Sequence, residues 1–332
     1  MMEIVTLGEV LIDMFPMKIG QAMGEVEAFT PKPGGAPANV AVAARRLGRQ
    51  SAFIGKVGED LFGSYLKDVL DKEGVDTRGL RFDQEARTTM AIIAMPDENS
   101  AEFVFYRNPG ADFRLTTEEL DTNLLLKTKI FHFGSLSLTH EPARGATIAA
   151  LQMVKQHGGM VSFDMNYRPA LWQSPEEALV QSEKMLPLVD VLKVNEGEVA
   201  LLCGLETVSP EDLDTLYAAS GQLLAKGPVL VVVTLGSQGS YFRFSGGGGY
   251  VPGFKVDTVD AIGCGDAFTA GLLSKIVQMD DWKEALSESY LTEVLTFANA
   301  VGALTSLKRG TITALPYLDE VNHFLDERTN HE

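Results

Sequence analysis

The segment DAIGCGDAF, residues 260 to 268, places Gly263, Cys264 and Gly265 directly ahead of Asp266 and of the apolar run AFTAGLLSKIV. The run reads as a helix. The preceding residues therefore lie at a helix N-terminus, where main-chain N–H groups lack intrahelical acceptors and the dipole is positive. Such a loop holds anions, phosphate above all. A carboxylate in the first turn, beside a phosphate, can take a proton from an attacking hydroxyl. It can also serve only as a cap or a complement to the dipole.

Other segments offer matching chemistry. In VLKVNEGEVALLCG, residues 191 to 204, a buried-type strand runs into Asn195 and Glu198, whose spacing suits a carboxylate holding Mg²⁺ through water with amide support. The same spacing is that of an Asn cap with Glu at the third helical position, and taken alone the capping reading is the stronger. In PGGAPANVAVAARRLG, residues 33 to 48, Gly34 and Gly35 allow close approach of backbone to a ligand, and Asn39 offers a donor and an acceptor to hydroxyl groups. A plain turn and a core-facing helix read equally well there. Asp13 interrupts an apolar strand in LGEVLIDMF; Arg107 in VFYRNPGAD and Arg168 in FDMNYRPALW each follow an aromatic residue and precede a Pro-containing turn. Either guanidinium could hold a hydroxylated or anionic ligand, or form a surface pair. Thr234, Gly236 and Gly239 end the strand VLVVVTLG in a loop fit to pass near nucleotide phosphates, or in an ordinary glycine turn. The phosphate-binding motif G-x-x-x-x-G-K-[ST], the protein-kinase motifs, H-E-x-x-H and G-x-S-x-G are all absent from the sequence.

These residues need a scaffold, and the chain alternates short β-type runs with helical patterns along most of its 332 residues. That alternation predicts an α/β fold with a mostly parallel central sheet covered by helices on both faces, where ligands collect beyond the carboxyl ends of the strands. Two stretches, 13–34 and 85–111, read as strands and turns without helices and are expected to form a small β-rich flap outside the main sheet. The remainder, 1–12, 35–84 and 112–332, makes the core. GGGG at 246 to 249 reads as a hairpin loop. Only the tail ERTNHE is expected to be disordered.

Composition narrows the function. Apolar residues make up 45% and charged residues 22%, a balance that supports a soluble core. A net charge of −17 opposes binding to nucleic acid or anionic membrane and leaves a small molecule as the expected partner. Cys203 and Cys264 have neither disulfide-framework nor metal spacing, and the N-terminus has acids where a signal peptide needs bases, so a cytoplasmic location is expected. Cys264, near a helix N-terminus, is expected to have a lowered pKa and to react with alkylating agents.

Three motifs in order, GGAPANVA, NEGE and GCGDAFTAGLL, resemble the ribokinase-like (PfkB) family of sugar kinases, with the likeness running from the first strand to KRGTITALP. Within that family LGEVLIDMFP, SAFIGKVG, FVFYRNPGAD and DMNYRPALW are most similar to fructokinases. The resemblance implies a three-layer αβα core with a β-sheet lid, and an ATP-dependent phosphotransferase acting on the 6-hydroxyl of D-fructose. It implies Asp266 as base, with Gly263, Cys264 and Gly265 as the anion hole. Asp13, Gly34, Gly35, Asn39, Arg107 and Arg168 fall on the sugar side, while Thr234, Gly236, Gly239 and Asn299 fall on the nucleotide side. Asn195 and Glu198 would organise Mg²⁺, and Asp260, Ile262 and Gly310 lie where the family places K⁺. A homodimer through the lid is a further expectation. The family's D-T-T-G-A-G-D is D-A-I-G-C-G-D here, so Ala261 and Ile262 remove two hydroxyls near the cation site. The rival readings are a 2-dehydro-3-deoxygluconate kinase, with Arg107 and Arg168 clamping a carboxylate, a nucleoside kinase, and a non-catalytic sugar-binding regulator.

Overall fold

The computed structural model describes residues 2–97 and 100–329. The described strands are β1 (Met2–Leu7), β2 (Leu11–Pro16), β3 (Phe29–Gly34), β4 (Ser51–Gly58), β5 (Asp76–Asp83), β6 (Met90–Asp97), β7 (Ser100–Tyr106), β8 (Thr128–Gly134), β9 (Met160–Asp164), β10 (Val191–Asn195), β11 (Leu230–Thr234), β12 (Gly239–Phe244) and β13 (Gly247–Pro252). Nine of them form one sheet in the order β13-β12-β11-β10-β9-β8-β1-β4-β5. It is parallel from β11 to β5, with an antiparallel hairpin, β12 and β13, at one edge.

Strands such as VLVVVT are apolar throughout because each face of this sheet is covered. Leu230 and Val232 face one cluster, built with the helices Ala36–Arg46, Cys264–Ile276 and Glu288–Thr305; Val231 and Val233 face the other, built with Ala143–Gln156, Glu196–Cys203 and Leu213–Ala225. Burial of both faces is what a parallel sheet requires. No helix among the described residues is long and apolar enough to cross a membrane.

The second sheet has the order β3-β2-β6-β7. Its two strand pairs, β2 with β3 and β6 with β7, begin at Leu11 and Met90, and its own buried cluster is small, Phe15, Ile93 and Met95. On β7, Phe103 and Phe105 turn toward the cleft between the sheets, while Val104 and Tyr106 are exposed.

Two local expectations are corrected. The hairpin turn at the sheet edge is Ser245-Gly246, and Gly247, Gly248 and Gly249 are strand residues of β13. Their lack of side chains has a packing cause: a Cβ on Gly249 would stand 2.9 Å from the Phe242 ring of the neighbouring strand. At the other end of the chain a helix spans Leu318–Thr329, so the first half of ERTNHE is helical; residues 330–332 lie outside the described residues.

Candidate functional site

Register along the main sheet aligns its polar strand ends. Lys193 of β10 pairs with Asp164 at the end of β9, and Asn195 pairs with Thr234 at the end of β11. A cavity of about 1100 Å³ lies beyond these ends, bounded also by the first turn of the helix Cys264–Ile276 and by the small sheet. Its size suits two small ligands meeting end to end.

Asp266 is buried on this wall, and Asn39 Nδ2 donates to its Oδ2 at 2.7 Å. Two helices whose N-termini converge thus share one polar contact. Burial pushes Asp266 up to about 6; Asn39 opposes the rise, Asp164 adds to it, and Lys193 and Arg168 oppose it. The result is a carboxylate poised near neutrality, as a general base requires. Gly263 has φ +84°, the left-handed conformation that favours glycine and starts the helix here. Cys264 N–H makes a long 3.3 Å bond to Ala261 O, so one of the three main-chain donors in this loop is already partly engaged.

Asp13 on β2 is buried rather than solvated or paired, and burial pushes it up to about 7, with Asp266, Glu9 and Asp260 adding to the rise. A Cβ on Gly34 would fall 2.0 Å from Asp13 Oδ2, which explains the glycine. Gly35, at φ +108°, then turns the chain into the helix, and its main chain packs against Glu9. Glu9 accepts from Ala36 N–H at 3.0 Å and is itself buried on the cavity wall. The GG segment therefore lets two carboxylates approach the helix start that carries Asn39.

Asn195 and Glu198 form the capping box anticipated as one reading. Glu198 N–H donates to Asn195 Oδ1 at 2.9 Å, and Asn195 N–H to Glu198 Oε2 at 2.8 Å. The other carboxylate oxygen of Glu198 accepts from Tyr167 N–H at 2.7 Å. Both residues still face the cavity, and each carboxylate oxygen keeps acceptor capacity beyond its one bond. Such a group fits a water-bridged Mg²⁺ better than a direct cage, and no cluster of three or more His, Cys, Asp or Glu suited to a metal occurs among the described residues.

Thr234, Gly236, Gly239 and Asn299 line the far half of the cavity with Phe254 and Val256. Gly239 is forced by close approach, since a Cβ there would sit 2.2 Å from Val251 O. Asn299 is anchored by donating to Val251 O and Pro252 O at 3.3 and 3.2 Å.

The two arginines part company. Arg168 is exposed on the cavity wall, tied only to Tyr167 O at 3.2 Å among its described contacts. Arg107 is buried and is not on the wall; its Nε donates to Asp112 Oδ2 at 2.7 Å. The expected sugar-side role for Arg107 as a direct ligand is thus replaced by a buried ion pair.

Cys264 also departs from expectation. Burial, with Asp260 and then Asp266 beside it, pushes the thiol up to about 12, the opposite of the lowering expected from the helix N-terminus. A protonated thiol at neutral pH is a poor nucleophile, which removes the premise for rapid alkylation. Asp260 is spent on structure: its two oxygens accept from Ile262 N–H and Gly310 N–H, each at 3.0 Å, binding the glycine loop to the Gly310 turn. Ala261 and Ile262 can offer a cation only main-chain oxygens.

Sequence reasoning missed the pair Lys193 and Asp164, whose Nζ and Oδ2 are 3.0 Å apart. Burial works against the ammonium, but Asp164, Glu198 and Asp266 hold the Lys193 pKa above its ordinary value. A Cβ on Gly265 would stand 3.2 Å from Lys193 Nζ, so that glycine keeps the ammonium against the anion-binding turn. The signal was a lone lysine within an apolar strand, VLKVN.

The model of the pfkB family carbohydrate kinases matches residues 1–318. Fructokinase-1 of Zea mays is 42% identical over 324 residues, covering 98% of each chain. Among solved structures, fructokinase of Xylella fastidiosa with bound ATP superposes with a TM-score of 0.86 at 34% identity, covering 98% of this chain and 99% of that one. A double mutant of Vibrio cholerae O395 fructokinase with fructose, ADP and potassium gives a TM-score of 0.84 at 34% identity, covering 98% of each chain.

Proposed function

The chain belongs to the pfkB family of carbohydrate kinases, and from that premise we propose that it transfers the terminal phosphoryl group of ATP to the 6-hydroxyl of D-fructose. The observation that carries this reading is Asp266, buried and fastened to Asn39 where the two halves of one cavity meet. Fructose would lie against Asp13, Asn39 and the Gly34-Gly35 turn. ATP would lie along Thr234, Gly236, Gly239 and Asn299. Support comes from the Xylella protein, crystallised with ATP, and the Vibrio protein, crystallised with fructose and ADP.

In this reading Asp266 takes the proton as the 6-oxygen bonds to the γ-phosphorus, and the bond to the β,γ-bridging oxygen breaks to release ADP. Main-chain N–H groups of Gly263, Cys264 and Gly265 receive the transferring oxygens, Lys193 supplies fixed positive charge beside them, and Arg168 reaches in from the rim. Mg²⁺ neutralises the phosphates when bound, and Asn195 and Glu198 would hold its waters. Main-chain oxygens of the stretches carrying Asp260, Ile262 and Gly310 would hold a K⁺ if one binds beside the loop. The small sheet, residues 13–34 and 85–111, is read as a lid that excludes water. Its edge strand β7, with Val104 and Tyr106 exposed, is where a second copy would pair.

The 2-dehydro-3-deoxygluconate reading loses support because Arg107 is committed to Asp112. A non-catalytic regulator has no use for a desolvated base. An ADP-release assay with MgATP across fructose, glucose, mannose, ribose, adenosine and 2-dehydro-3-deoxygluconate tests the proposal. Fructose should give the highest kcat/KM, and a higher value for any other acceptor rejects it.

The acid limb of kcat/KM should reflect the buried carboxylates. Asp266 must be ionised to accept a proton, so activity falls as pH drops through its pKa. With Asp266 near 6, the limb should centre near that value. A limb near the ordinary aspartate value of about 4 would contradict it.

A further inference from the structure

Arg107 and Asp112 form a fully enclosed pair just behind the sugar end of the cavity. Their side chains are 5% and 2% exposed, and Arg107 Nη2 lies 2.5 Å from Asp112 Oδ2. Thr89 Oγ1 donates to the other oxygen, Asp112 Oδ1, at 2.5 Å. The remaining guanidinium donors go to Thr139 Oγ1 at 3.1 Å and to the main-chain oxygen of Leu136 at 3.2 Å, and Phe113 lies under the guanidinium at 5.2 Å from the ring centroid. Leu136 and Phe105 are cavity-wall residues, so a single layer separates this cation from the sugar. Glu9 and Asp13 lie on the cavity wall here, and Arg168, exposed on the same wall, acts on Asp13.

We infer that Asp112 is a specificity-determining residue: it holds Arg107 in an internal pair and so withholds the cation that a sugar acid's carboxylate would need, reserving the site for neutral sugars. The inference rests on the sugar-kinase reading above. A buried guanidinium takes a carboxylate partner at high priority, because an unpaired charge in such a place is costly. While Asp112 fills that role, an acidic substrate meets Glu9 and Asp13 with the exposed Arg168, and not Arg107, to offset them. Discrimination here comes from repulsion of the wrong substrate as much as from attraction of the right one. With Asp112 neutralised, the carboxylate of a bound sugar acid becomes the partner Arg107 lacks.

The test compares Asp112→Asn, which keeps shape and an oxygen for Thr89, with the double variant Arg107→Met/Asp112→Leu, which buries no unpaired charge. ADP release is measured with D-fructose and with 2-dehydro-3-deoxygluconate. The ratio of kcat/KM values, acid to fructose, should rise by about tenfold or more in Asp112→Asn, the worth of one charge-assisted hydrogen bond. In the double variant it should return to the wild-type ratio. A folded Asp112→Asn enzyme with the wild-type ratio overturns the inference, as does a raised ratio that persists in the double variant. If Asp112→Asn is too unstable to assay, its melting temperature serves: the sugar acid must raise it more than fructose does, and an equal or smaller rise overturns the inference. Failure of the wild type to release ADP with fructose would instead remove the reading beneath it.

Discussion

Replacement of Asp266 by Asn is expected to lower kcat by about three orders of magnitude, the usual worth of a positioned general base. Sugar affinity should change only a few-fold. An amide at this position can still present an oxygen to Asn39 Nδ2, which now reaches Asp266 Oδ2 at 2.7 Å, so the two helix starts stay joined. What is lost is the capacity to take a proton. Because burial already pushes the Asp266 pKa up to about 6, the substitution also removes a charge that is costly to keep there, and the melting temperature should hold or rise. Calorimetric titration with fructose and steady-state kinetics on the same preparation separate these effects. Turnover within about tenfold of the wild type would remove Asp266 from the chemical step.

Asp13→Ala should act on binding first. If Asp13 accepts from two sugar hydroxyls, each worth roughly 1.5–3 kcal/mol to a buried carboxylate, the dissociation constant for fructose should rise by about two to four orders of magnitude. A second readout distinguishes this from general damage. Asp266 is the largest charged contributor to the raised Asp13 pKa, but Asp13, near 7, is already protonated where Asp266 titrates near 6. Without Asp13, the acid limb of kcat should therefore stay near 6, where Asp266 sets it, while fructose affinity falls. An unchanged fructose affinity would place the sugar elsewhere in the cavity.

Much of the fold was legible because its strands are unambiguous. The run LVVV, residues 230–233, has no polar face, and only a sheet covered on both sides accommodates it. The glycine-rich turn before Asp266 and the Asn195/Glu198 spacing carried the site for a related reason: each encodes a helix start, and helix starts depend on short-range sequence. What escaped was long-range. Lys193 is adjacent in sequence to nothing that explains it; its partner Asp164 comes from the neighbouring strand. Arg107 looked like Arg168 because both follow an aromatic residue, yet Asp112, five residues on, turns one of them inward. At Cys264 the helix N-terminus was visible in the sequence, whereas the burial that raises the thiol pKa, with Asp260 and Asp266 adding to it, is a property of the folded chain. The glycines at 247 to 249 misled in the same way, since the Phe242 ring that requires Gly249 lies across the hairpin.

The most direct test is phosphorus NMR of a mixture of the protein, MgATP and D-fructose, followed in real time. ATP should convert to ADP with matching growth of a sugar 6-phosphate ester, at a rate that vanishes without fructose and in the Asp266→Asn variant. Conversion of ATP to ADP and inorganic phosphate at the same rate with or without fructose, or an ester formed equally well by Asp266→Asn, would contradict a sugar kinase that works through Asp266.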